Sequence, residues 1–189
     1  EIAEKYDVDG IHFDDYFYPS PDDSFDSVAY QEYKNGGGSL SLGDWRRENV
    51  NILIRDVYSA IKAADASIRF GISPQGNDYI CPQIYFGFNN STSPYTETVA
   101  LWNNKIKVSG ISLYIGLAPY KIGLTDTWAG SGKNEWINDS SILARQVQSA
   151  REYGKYGGFA LFRYASLFAP DSSVKSQVEK EKKDLADVL

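Results

Sequence analysis

The sequence contains very little cysteine and histidine. Among 189 residues there is one of each, Cys81 and His12. A single cysteine excludes an internal disulfide and any thiolate metal cluster, and a single histidine excludes zinc sites built from several histidines. It also excludes a Ser-His-Asp triad unless His12 is the base. These absences remove several common kinds of metal and nucleophile site.

Positive charge and long apolar runs are also scarce. The formal net charge is −6 and no run of basic residues occurs, which argues against nucleic acids and anionic membranes as partners. No stretch is long and apolar enough to span a bilayer, and no glycine-rich dinucleotide motif or Walker motif occurs. We therefore expect neither a membrane span nor a cofactor.

Aromatic residues are abundant instead. They make up 14% of the chain, with 14 tyrosines and 4 tryptophans, in a composition that is 42% hydrophobic and 23% charged. This balance is typical of a globular protein, and a chain of this length can bury one sizeable core. Flat amphipathic rings pack in cores and also against sugar faces, so the composition is compatible with a carbohydrate ligand.

One stretch near the N-terminus combines a strand pattern with adjacent carboxylates. Ile11 and Phe13 alternate with His12 and Asp14, as a strand of period two requires. Asp14 and Asp15 then stand at its carboxyl end. Carboxylates are costly beside apolar side chains unless they have a partner or a function. The pair either caps the next loop through backbone amides or carries chemistry, and we favour chemistry.

Hydrophobic spacing predicts strands and helices in alternation along the rest of the chain. Further strands are predicted over residues 68–73, 79–86, 108–117 and 158–164. Helices are predicted over 45–64, 95–107, 140–153 and 172–189. Asp44 is the expected N-cap of the first of these helices. Its expected buried stripe is Val50, Leu53, Ile54, Val57 and Ile61.

The connections and the last helix complete this pattern. Residues 20–42 and 118–139 are predicted to be long loops, and the strongly charged last helix is expected to lie outside. Strands that alternate with helices indicate βαβ units and a parallel sheet. In each strand one face is apolar and the other carries small or polar residues, as in β/α barrels, whose sites lie at the strand carboxyl ends. A doubly wound open sheet is the alternative.

The junction between the second and third strands is too short for this pattern. Only about four residues separate them, whereas a parallel crossover needs a dozen or more. Either the two strands form a hairpin around Gly76 and Asn77, or a helix-bearing segment is absent after Asn77. We favour the absent segment, because every other junction has its helix.

Five blocks of the sequence resemble one family. They are residues 8–19 (VDGIHFDDYFYP), 44–51 (DWRRENVN), 70–76 (FGISPQG), 82–85 (PQIY) and 113–120 (LYIGLAPY). In this order, across nearly the whole chain, they are similar to the glycosyl-hydrolase-like family 10 proteins, also called DUF187. The resemblance implies a (β/α)8 TIM barrel in a bacterial protein that is exported or lipid-anchored at the cell envelope. It also implies glycosidase activity on cell-wall (peptidoglycan-type) or other polysaccharide glycans.

The resemblance further implies that residues 1–189 are the C-terminal portion of one barrel domain, about strands 4 to 8. Strands 1 to 3 are expected before residue 1, and a missing segment is expected between residues 77 and 78. Five strands cannot close an eight-stranded barrel and leave open edges. We therefore expect this portion to self-associate or to need its missing N-terminal half.

Glycoside hydrolysis usually requires two carboxyl groups. Asp14 and Asp15 are the catalytic candidates. Neighbours on a strand point to opposite faces, so one of them, with Asp14 preferred, is expected to catalyse while the other orients it or binds a sugar hydroxyl. His12 is expected one layer deeper, as a hydrogen-bond donor or a satisfied interior residue. The options for the second carboxylate within this chain are Asp22, Asp23, Asp26, Asp126 and Glu135.

The substrate-binding candidates are polar or aromatic residues near strand ends. They are His12, Tyr16, Ser73, Gln75, Gln83, Tyr85, Tyr114 and Tyr164, and interior filling is the alternative role for them. Trp128, in a polar loop, is the candidate platform for stacking against a sugar. Arg46 and Arg47 either reach the site or form ion pairs.

Three functions follow from these residues. The first is a glycoside hydrolase that uses carboxylate acid/base catalysis and no cofactor. The second is a catalytically inactive barrel that binds glycans. The third is a metal-dependent hydrolase that uses His12, Asp14 and Asp15. A single histidine disfavours it, so no metal site is predicted.

Overall fold

A computed structural model describes residues 1–14, 18–73 and 78–189. The helices in this part of the chain are α1 (Ile2–Lys5), α2 (Ser27–Asn35), α3 (Leu42–Ala64), α4 (Tyr95–Lys105), α5 (Glu135–Asn138), α6 (Ile142–Ala150), α7 (Tyr164–Phe168) and α8 (Lys175–Ala186). The strands are β1 (Gly10–Phe13), β2 (Arg69–Ile72), β3 (Tyr79–Ile80), β4 (Ser112–Leu117) and β5 (Tyr156–Leu161). The chain forms two compact units, Glu1–Phe70 and Gly71–Leu189.

The first unit holds β1, the start of β2 and the long helix α3. The Arg69 amide donates a hydrogen bond to the Asp9 carbonyl oxygen at 3.1 Å, which places the start of β2 beside β1. The Phe13 ring meets the Phe70 ring edge-on, with centroids 5.2 Å apart. The apolar face of the predicted first strand therefore packs as its alternation predicts.

Helix α3 begins three residues before its predicted start. Ser41 is the N-cap, and its Oγ accepts a hydrogen bond from the Asp44 amide at 3.2 Å. The prediction that Asp44 is the N-cap is therefore wrong. Asp44 stands in the first turn, where a carboxylate interacts favourably with the helix dipole. Of the predicted stripe, Ile54 and Ile61 are buried, whereas Leu53 is 48% exposed.

Helix α2 occupies a stretch for which the sequence predicts only loop. Its Tyr30 and Tyr33 rings pack against the Trp45 ring of α3, with centroids 5.4 and 5.9 Å away. Most of the stability of a short helix comes from tertiary packing rather than from intrinsic propensity. These aromatic contacts between α2 and α3 explain why nine residues without a strong apolar period are helical.

The second unit is built on parallel strands. β2 pairs with β3, β3 with β4, and β4 with β5, each in parallel. The order along the sheet is β1-β2-β3-β4-β5. The predicted α/β class with a parallel sheet is confirmed, and this order is compatible with part of a barrel. Because Gly71 pairs in parallel with Tyr79, the hairpin alternative for the short junction is wrong.

One face of β4 is covered by helices. Leu113, Ile115 and Leu117 are fully buried, as the alternation of the strand predicts. They belong to a core to which α4, α6 and α8 contribute. Its members from these helices include Tyr95, Val99, Ile142, Leu143, Val147, Val178 and Leu185.

The other face carries a layer of two tyrosines set between glycines. The Tyr79 and Tyr114 rings lie 5.1 Å apart. A Cβ added at Gly71 would lie 2.2 Å from the Tyr79 ring, and one added at Gly157 or Gly158 would lie 2.9 or 2.8 Å from the Tyr114 ring. Large side chains alternate with glycines in this way inside small barrels. We call these five residues the tyrosine layer.

Strand β3 is shorter than predicted. After Ile80 the regular ladder ends, and an isolated parallel bridge joins Gln83 to Gly116. Pro82 lies in between and lacks the amide that a ladder requires. Its carbonyl oxygen still accepts a hydrogen bond from the Gly116 amide at 2.9 Å, so the chain stays beside β4 beyond the end of the strand.

The C-terminal elements also differ from the prediction. Strand β5 ends at Leu161, and Tyr164 begins the short helix α7 instead of ending the strand. The last helix is α8, and it packs on α6. Its side chains Val178, Glu181 and Leu185 are buried, so the expectation that this helix lies outside is wrong.

Glu181 of α8 caps α6 from a distant part of the chain. Its carboxylate accepts hydrogen bonds from the Ile142 amide at 2.9 Å and the Leu143 amide at 3.1 Å. These amides lie in the first turn of α6, where they have no partner within the helix. Burial raises the pKa of Glu181, and the backbone hydrogen bonds oppose the rise.

We expect Glu181→Ala to lower the free energy of unfolding by about 1–3 kcal/mol, because the Ile142 and Leu143 amides lose their acceptor. Folding raises the pKa of Glu181 above the ordinary value of 4.5. The stability linked to this proton is therefore fully present below that value and is lost as the pH rises through the folded pKa.

Urea unfolding of both proteins at about pH 4 and about pH 8 checks this sign. The wild type should exceed the Glu181→Ala variant in stability by more at the lower pH. A difference that grows as the pH rises would contradict the expected linkage.

Candidate functional site

His12 and Asp14 lie at the carboxyl end of β1. They alternate with Ile11 and Phe13, which are half-buried, whereas Asp14 is exposed. Partial burial lowers the pKa of His12 below its usual value, and the charge of Asp14 opposes this effect. His12 is therefore neutral at pH 7, so one ring nitrogen can donate a hydrogen bond while the other accepts one.

Three predicted site residues, Asp15, Tyr16 and Gln75, lie outside the described residues. The roles assigned to them as a catalytic partner and as substrate-binding residues stay predictions.

Asp126 forms a buried ion pair in the loop after β4. Its Oδ2 accepts a hydrogen bond from Lys121 Nζ at 2.6 Å, and Lys121 Nζ also donates to the Tyr85 carbonyl oxygen at 2.6 Å. The Asp126 and Lys121 side chains are only 3% and 17% exposed. Asp126, one option for the second catalytic carboxylate, therefore positions Lys121, and Lys121 in turn binds the chain beyond β3.

Glu135 binds backbone amides of the preceding loop. Its two carboxylate oxygens accept hydrogen bonds from the Phe88 and Asn89 amides, both at 2.9 Å. A Cβ added at Gly87 would lie 2.1 Å from Glu135 Oε2, so only glycine leaves room for this carboxylate. Glu135 therefore joins the loops that follow β3 and β4, which is a structural role for the other option in this region.

The aspartates of residues 22–26 are engaged within the first unit. Arg46 donates two hydrogen bonds to Asp26, at 2.6 and 2.8 Å, and it lowers the pKa of Asp26 to about 2. Asp23 Oδ1 lies 3.5 Å from Arg46 Nη1. Asp22 Oδ1 accepts a hydrogen bond from the Ser24 amide. Arg47 pairs with Asp44. The ion-pair alternative for both arginines is therefore confirmed.

Three aromatic rings meet beyond the ends of the strands of the second unit. The Tyr85 ring lies 6.0 Å from Phe162 and 5.8 Å from Tyr120, and the Tyr120 and Phe162 rings lie 6.2 Å apart. Tyr120 is 39% exposed and Phe162 is 48% exposed. We call these three residues the aromatic cluster. Partly exposed rings with a common surface can pack against the CH face of a sugar.

Two other predicted binding residues belong to the sheet. Ser73 is buried, and its hydroxyl donates a hydrogen bond to the Cys81 carbonyl oxygen at 2.7 Å, which ties the end of β2 to the end of β3. Tyr114 fills the tyrosine layer. Gln83 is exposed.

Trp128 and Tyr164 are the most exposed of the predicted aromatic residues that the structure describes. Trp128 is 88% exposed, and Tyr164 is 75% exposed and stacks on Phe168 at 4.6 Å. Neither ring belongs to the aromatic cluster. Tyr85 therefore shares a surface with Tyr120 and Phe162, whereas Trp128 and Tyr164 lie outside that cluster.

Sequence reasoning did not select Tyr120 and Phe162. Phe162 has the same strand parity as Tyr164, so the alternation that selected one could also have selected the other. Tyr120 lies in a predicted loop, where no periodicity gives its direction. A short 3-10 turn, Pro119–Lys121, orients it.

The described parts of the chain contain neither a metal-ligand cluster nor a membrane-spanning helix. Within residues 1–14, 18–73 and 78–189, no group of three or more histidine, cysteine, aspartate or glutamate side chains is arranged to hold a metal ion. In the same ranges, no helix combines the length and apolar character needed to cross a membrane.

The N-terminal part of the chain matches a known family. Residues 1–78 match the model described as Glycosyl hydrolase-like 10. This confirms the family resemblance. The glycosyl hydrolase-like segment contains β1, with His12 and Asp14, and extends through α3 and β2.

Two bacterial relatives extend the similarity beyond this segment. The chain is 32% identical over 187 aligned positions to glycosyl hydrolase YngK of Bacillus subtilis, an alignment that covers 78% of the chain and 36% of the relative. It is 34% identical over 211 positions to glycosyl hydrolase DigH of Escherichia coli K12, with 91% and 47% covered. The chain thus spans about half, or less, of the length of these relatives.

Proposed function

We propose that the protein is a glycoside hydrolase that acts on a polysaccharide or a peptidoglycan-type cell-wall glycan. The observation that carries the proposal is Asp14, exposed at the carboxyl end of β1 beside a neutral His12, within the segment that matches a glycosyl hydrolase-like family. The similarity to two relatives named glycosyl hydrolases supports the same class of reaction.

In this proposal Asp14 is one of the two carboxyl groups that glycosidic cleavage requires. Asp15 orients Asp14 or binds a sugar hydroxyl, and His12 donates a hydrogen bond. Since Asp126 and Glu135 already hold Lys121 and two backbone amides, we propose that the second carboxyl group comes from a part of the full-length protein outside this chain.

Substrate contacts are proposed for residues near the strand ends. Tyr85, in the aromatic cluster, and Trp128, at the surface, are proposed to stack on sugar rings, and the Gln83 amide to bind sugar hydroxyls. The exposure of Trp128 and Gln83, and the partly exposed neighbours of the half-buried Tyr85, support these roles. Ser73 is buried and Tyr114 fills the tyrosine layer, so contact with either residue requires that the substrate reach the sheet itself.

We also propose that the chain is the C-terminal portion of a barrel that lacks a segment between Asn77 and Asp78. The parallel pairing of β2 and β3 supports this, because such pairs need a long crossover. The alignment with the E. coli relative is also longer than the chain, 211 positions against 189 residues. By resemblance to its family, the protein is proposed to be exported and to need its N-terminal half.

The release of new reducing ends tests the proposed function. The full-length protein is incubated with peptidoglycan glycan strands and with a panel of plant and bacterial polysaccharides, and the products are identified by mass spectrometry. We expect shortened oligosaccharides from at least one substrate. Intact substrates throughout the panel would overturn the proposal of a hydrolase.

A glycan-binding barrel without turnover is the second candidate. The observation that favours it is the structural engagement of Asp126 and Glu135, two of the carboxylates considered for the second catalytic group. Saturable glycan binding without release of reducing ends would support this function instead.

A further inference from the structure

A cleft opens between the loop after β4 and the chain that follows β5. It has a volume of about 210 Å³ and is lined by residues of 119–124, by α7 and its flanks, and by the start of α8. Pockets for drug-sized ligands occupy roughly 300–1,000 Å³, so this cleft has room for a smaller group. Its walls include alanine, proline, valine, isoleucine and leucine side chains, which form an apolar surface around its few polar groups.

Four of the lining residues can recognise a polar ligand. They are Tyr120, Arg163, Ser166 and Asp171. Tyr120 belongs to the aromatic cluster as well, so the cleft adjoins the exposed ring of Phe162, 6.2 Å from Tyr120. An aromatic ring, a donor, an acceptor and a hydroxyl thus lie in or beside one small apolar cleft.

The two charged groups of the cleft remain available to a ligand. Asp171 Oδ1 accepts hydrogen bonds from the amide and the hydroxyl of Ser173, at 2.8 and 2.6 Å, and these bonds lower the pKa of Asp171. Its carboxylate is therefore ionised at neutral pH, and Oδ2 is left as an acceptor. Among the described residues, Arg163 forms no ion pair. The cleft thus presents one positive and one negative charge that do not neutralise each other directly.

This combination suits a sugar ring. A pyranose has an apolar CH face that packs on an aromatic ring, and hydroxyl groups that both donate and accept hydrogen bonds. Carboxylates accept from hydroxyls and guanidinium groups donate to them, and such charge-assisted bonds are stronger than neutral ones. The charge of an acidic sugar would attract Arg163 and be repelled by Asp171, and since both side chains line the cleft, the two effects oppose each other and favour an uncharged ring.

We propose that the cleft is a subsite for one uncharged pyranose ring of a glycan, which stacks on Tyr120 and is hydrogen-bonded by Asp171 and Arg163. The proposal rests on the proposed function for its class of ligand. It adds residues that the sequence pattern does not select, and it gives the protein a preference for neutral over acidic sugars at this position.

Titration calorimetry with defined oligosaccharides tests the subsite independently of turnover. The probes are the tetrasaccharides of chitin, cellulose, xylan and mannan, with tetragalacturonate as an acidic comparison. We expect saturable binding of at least one neutral probe and weaker binding of tetragalacturonate. Tyr120→Ala and Asp171→Asn should each weaken the binding of the neutral probe about tenfold, which corresponds to about 1.4 kcal/mol of binding free energy.

Asp65 provides a matched control for Asp171. Its Oδ1 accepts from the amide and hydroxyl of Ser67 at 2.8 and 2.6 Å, the same arrangement as at Asp171, and it does not line the cleft. Asp65→Asn should leave binding unchanged. Asparagine keeps the Oδ1 acceptor in both turns, so both variants should fold, which circular dichroism and thermal melting check.

The outcomes separate the two proposals. If no substrate is hydrolysed but Tyr120→Ala and Asp171→Asn weaken binding, the subsite stands and the hydrolase does not. If hydrolysis occurs while both variants bind like the wild type, the subsite is wrong and the hydrolase stands. Failure of every neutral tetrasaccharide to bind the wild type, or equal losses in Asp65→Asn and Asp171→Asn, would also overturn the subsite.

Discussion

Asp14→Asn is expected to lower kcat for glycan hydrolysis by about 10²–10⁴-fold, the usual contribution of a positioned acid or base. Asparagine keeps the size and the hydrogen-bonding carbonyl of the side chain but cannot transfer a proton or attack the anomeric carbon. Since Asp14 is exposed at the end of β1, the change should leave the fold intact. Initial rates of reducing-end release at saturating substrate measure the effect.

Asp9→Asn is the control for this experiment. Asp9 precedes β1, is exposed, and contributes its backbone carbonyl to the Arg69 amide, so its side chain can change without loss of that bond. The Asp9 variant should hydrolyse at the wild-type rate, and the Asp14 variant should still bind oligosaccharide. A loss of hydrolytic activity in Asp15→Asn but not in Asp14→Asn would assign the catalytic role to Asp15 instead.

Asp126→Ala is expected to lower the free energy of unfolding by about 3–5 kcal/mol, because it leaves a partly buried charge without its counter-charge. Lys121 Nζ would keep its hydrogen bond to the Tyr85 carbonyl oxygen but would lose the carboxylate. Equilibrium unfolding in urea, followed by tryptophan fluorescence, measures the change. The loop after β4 should also become more sensitive to proteolysis, since the ion pair anchors it beside Tyr85.

Two further variants show whether the loss of stability comes from breaking the buried ion pair or from removing any charged side chain. Glu179→Ala removes one partner of an exposed pair with Lys182 and should change stability little. Replacing both buried partners, in Lys121→Met with Asp126→Leu, should recover much of the loss, because no charge is left unpaired. A double variant as unstable as Asp126→Ala would contradict this account.

The alternation of residues predicted the faces of the strands. In β4 the odd positions Leu113, Ile115 and Leu117 are buried, and Tyr114 and Gly116 lie on the other face. This worked because a period of two is a property of the extended backbone itself. The same local rule placed His12 and Asp14 on one side of β1.

Local rules failed where packing between distant segments decides the structure. Helix α2 depends on ring contacts with Trp45 of α3. The burial of Glu181 depends on the first turn of α6, which lies about forty residues away in the chain. Hydrophobic periodicity describes one element at a time and does not show which elements contact each other, so neither outcome was predictable from it.

In the candidate site, too, some features follow from local sequence and others from contacts between separate segments. The position of Asp14 at the exposed carboxyl end of β1 was predictable because strand alternation is a local property of the chain, whereas its catalytic role stays a prediction. The structural use of Asp126 and Glu135 was not predictable, because their partners are Lys121 in a loop and backbone amides of another loop. The aromatic cluster and the adjoining cleft likewise combine residues from the ends of three chain segments.

The sequence by itself determined the parallel α/β class, the apolar faces of its strands and the family resemblance. These follow from backbone periodicity and from short motifs, which a linear chain carries without reference to distant residues. Only the tertiary structure decided which carboxylates hold loops together, which rings share a surface, and where a small cleft carries opposite charges. Those features depend on distances between segments far apart in the chain, and folding alone sets these distances.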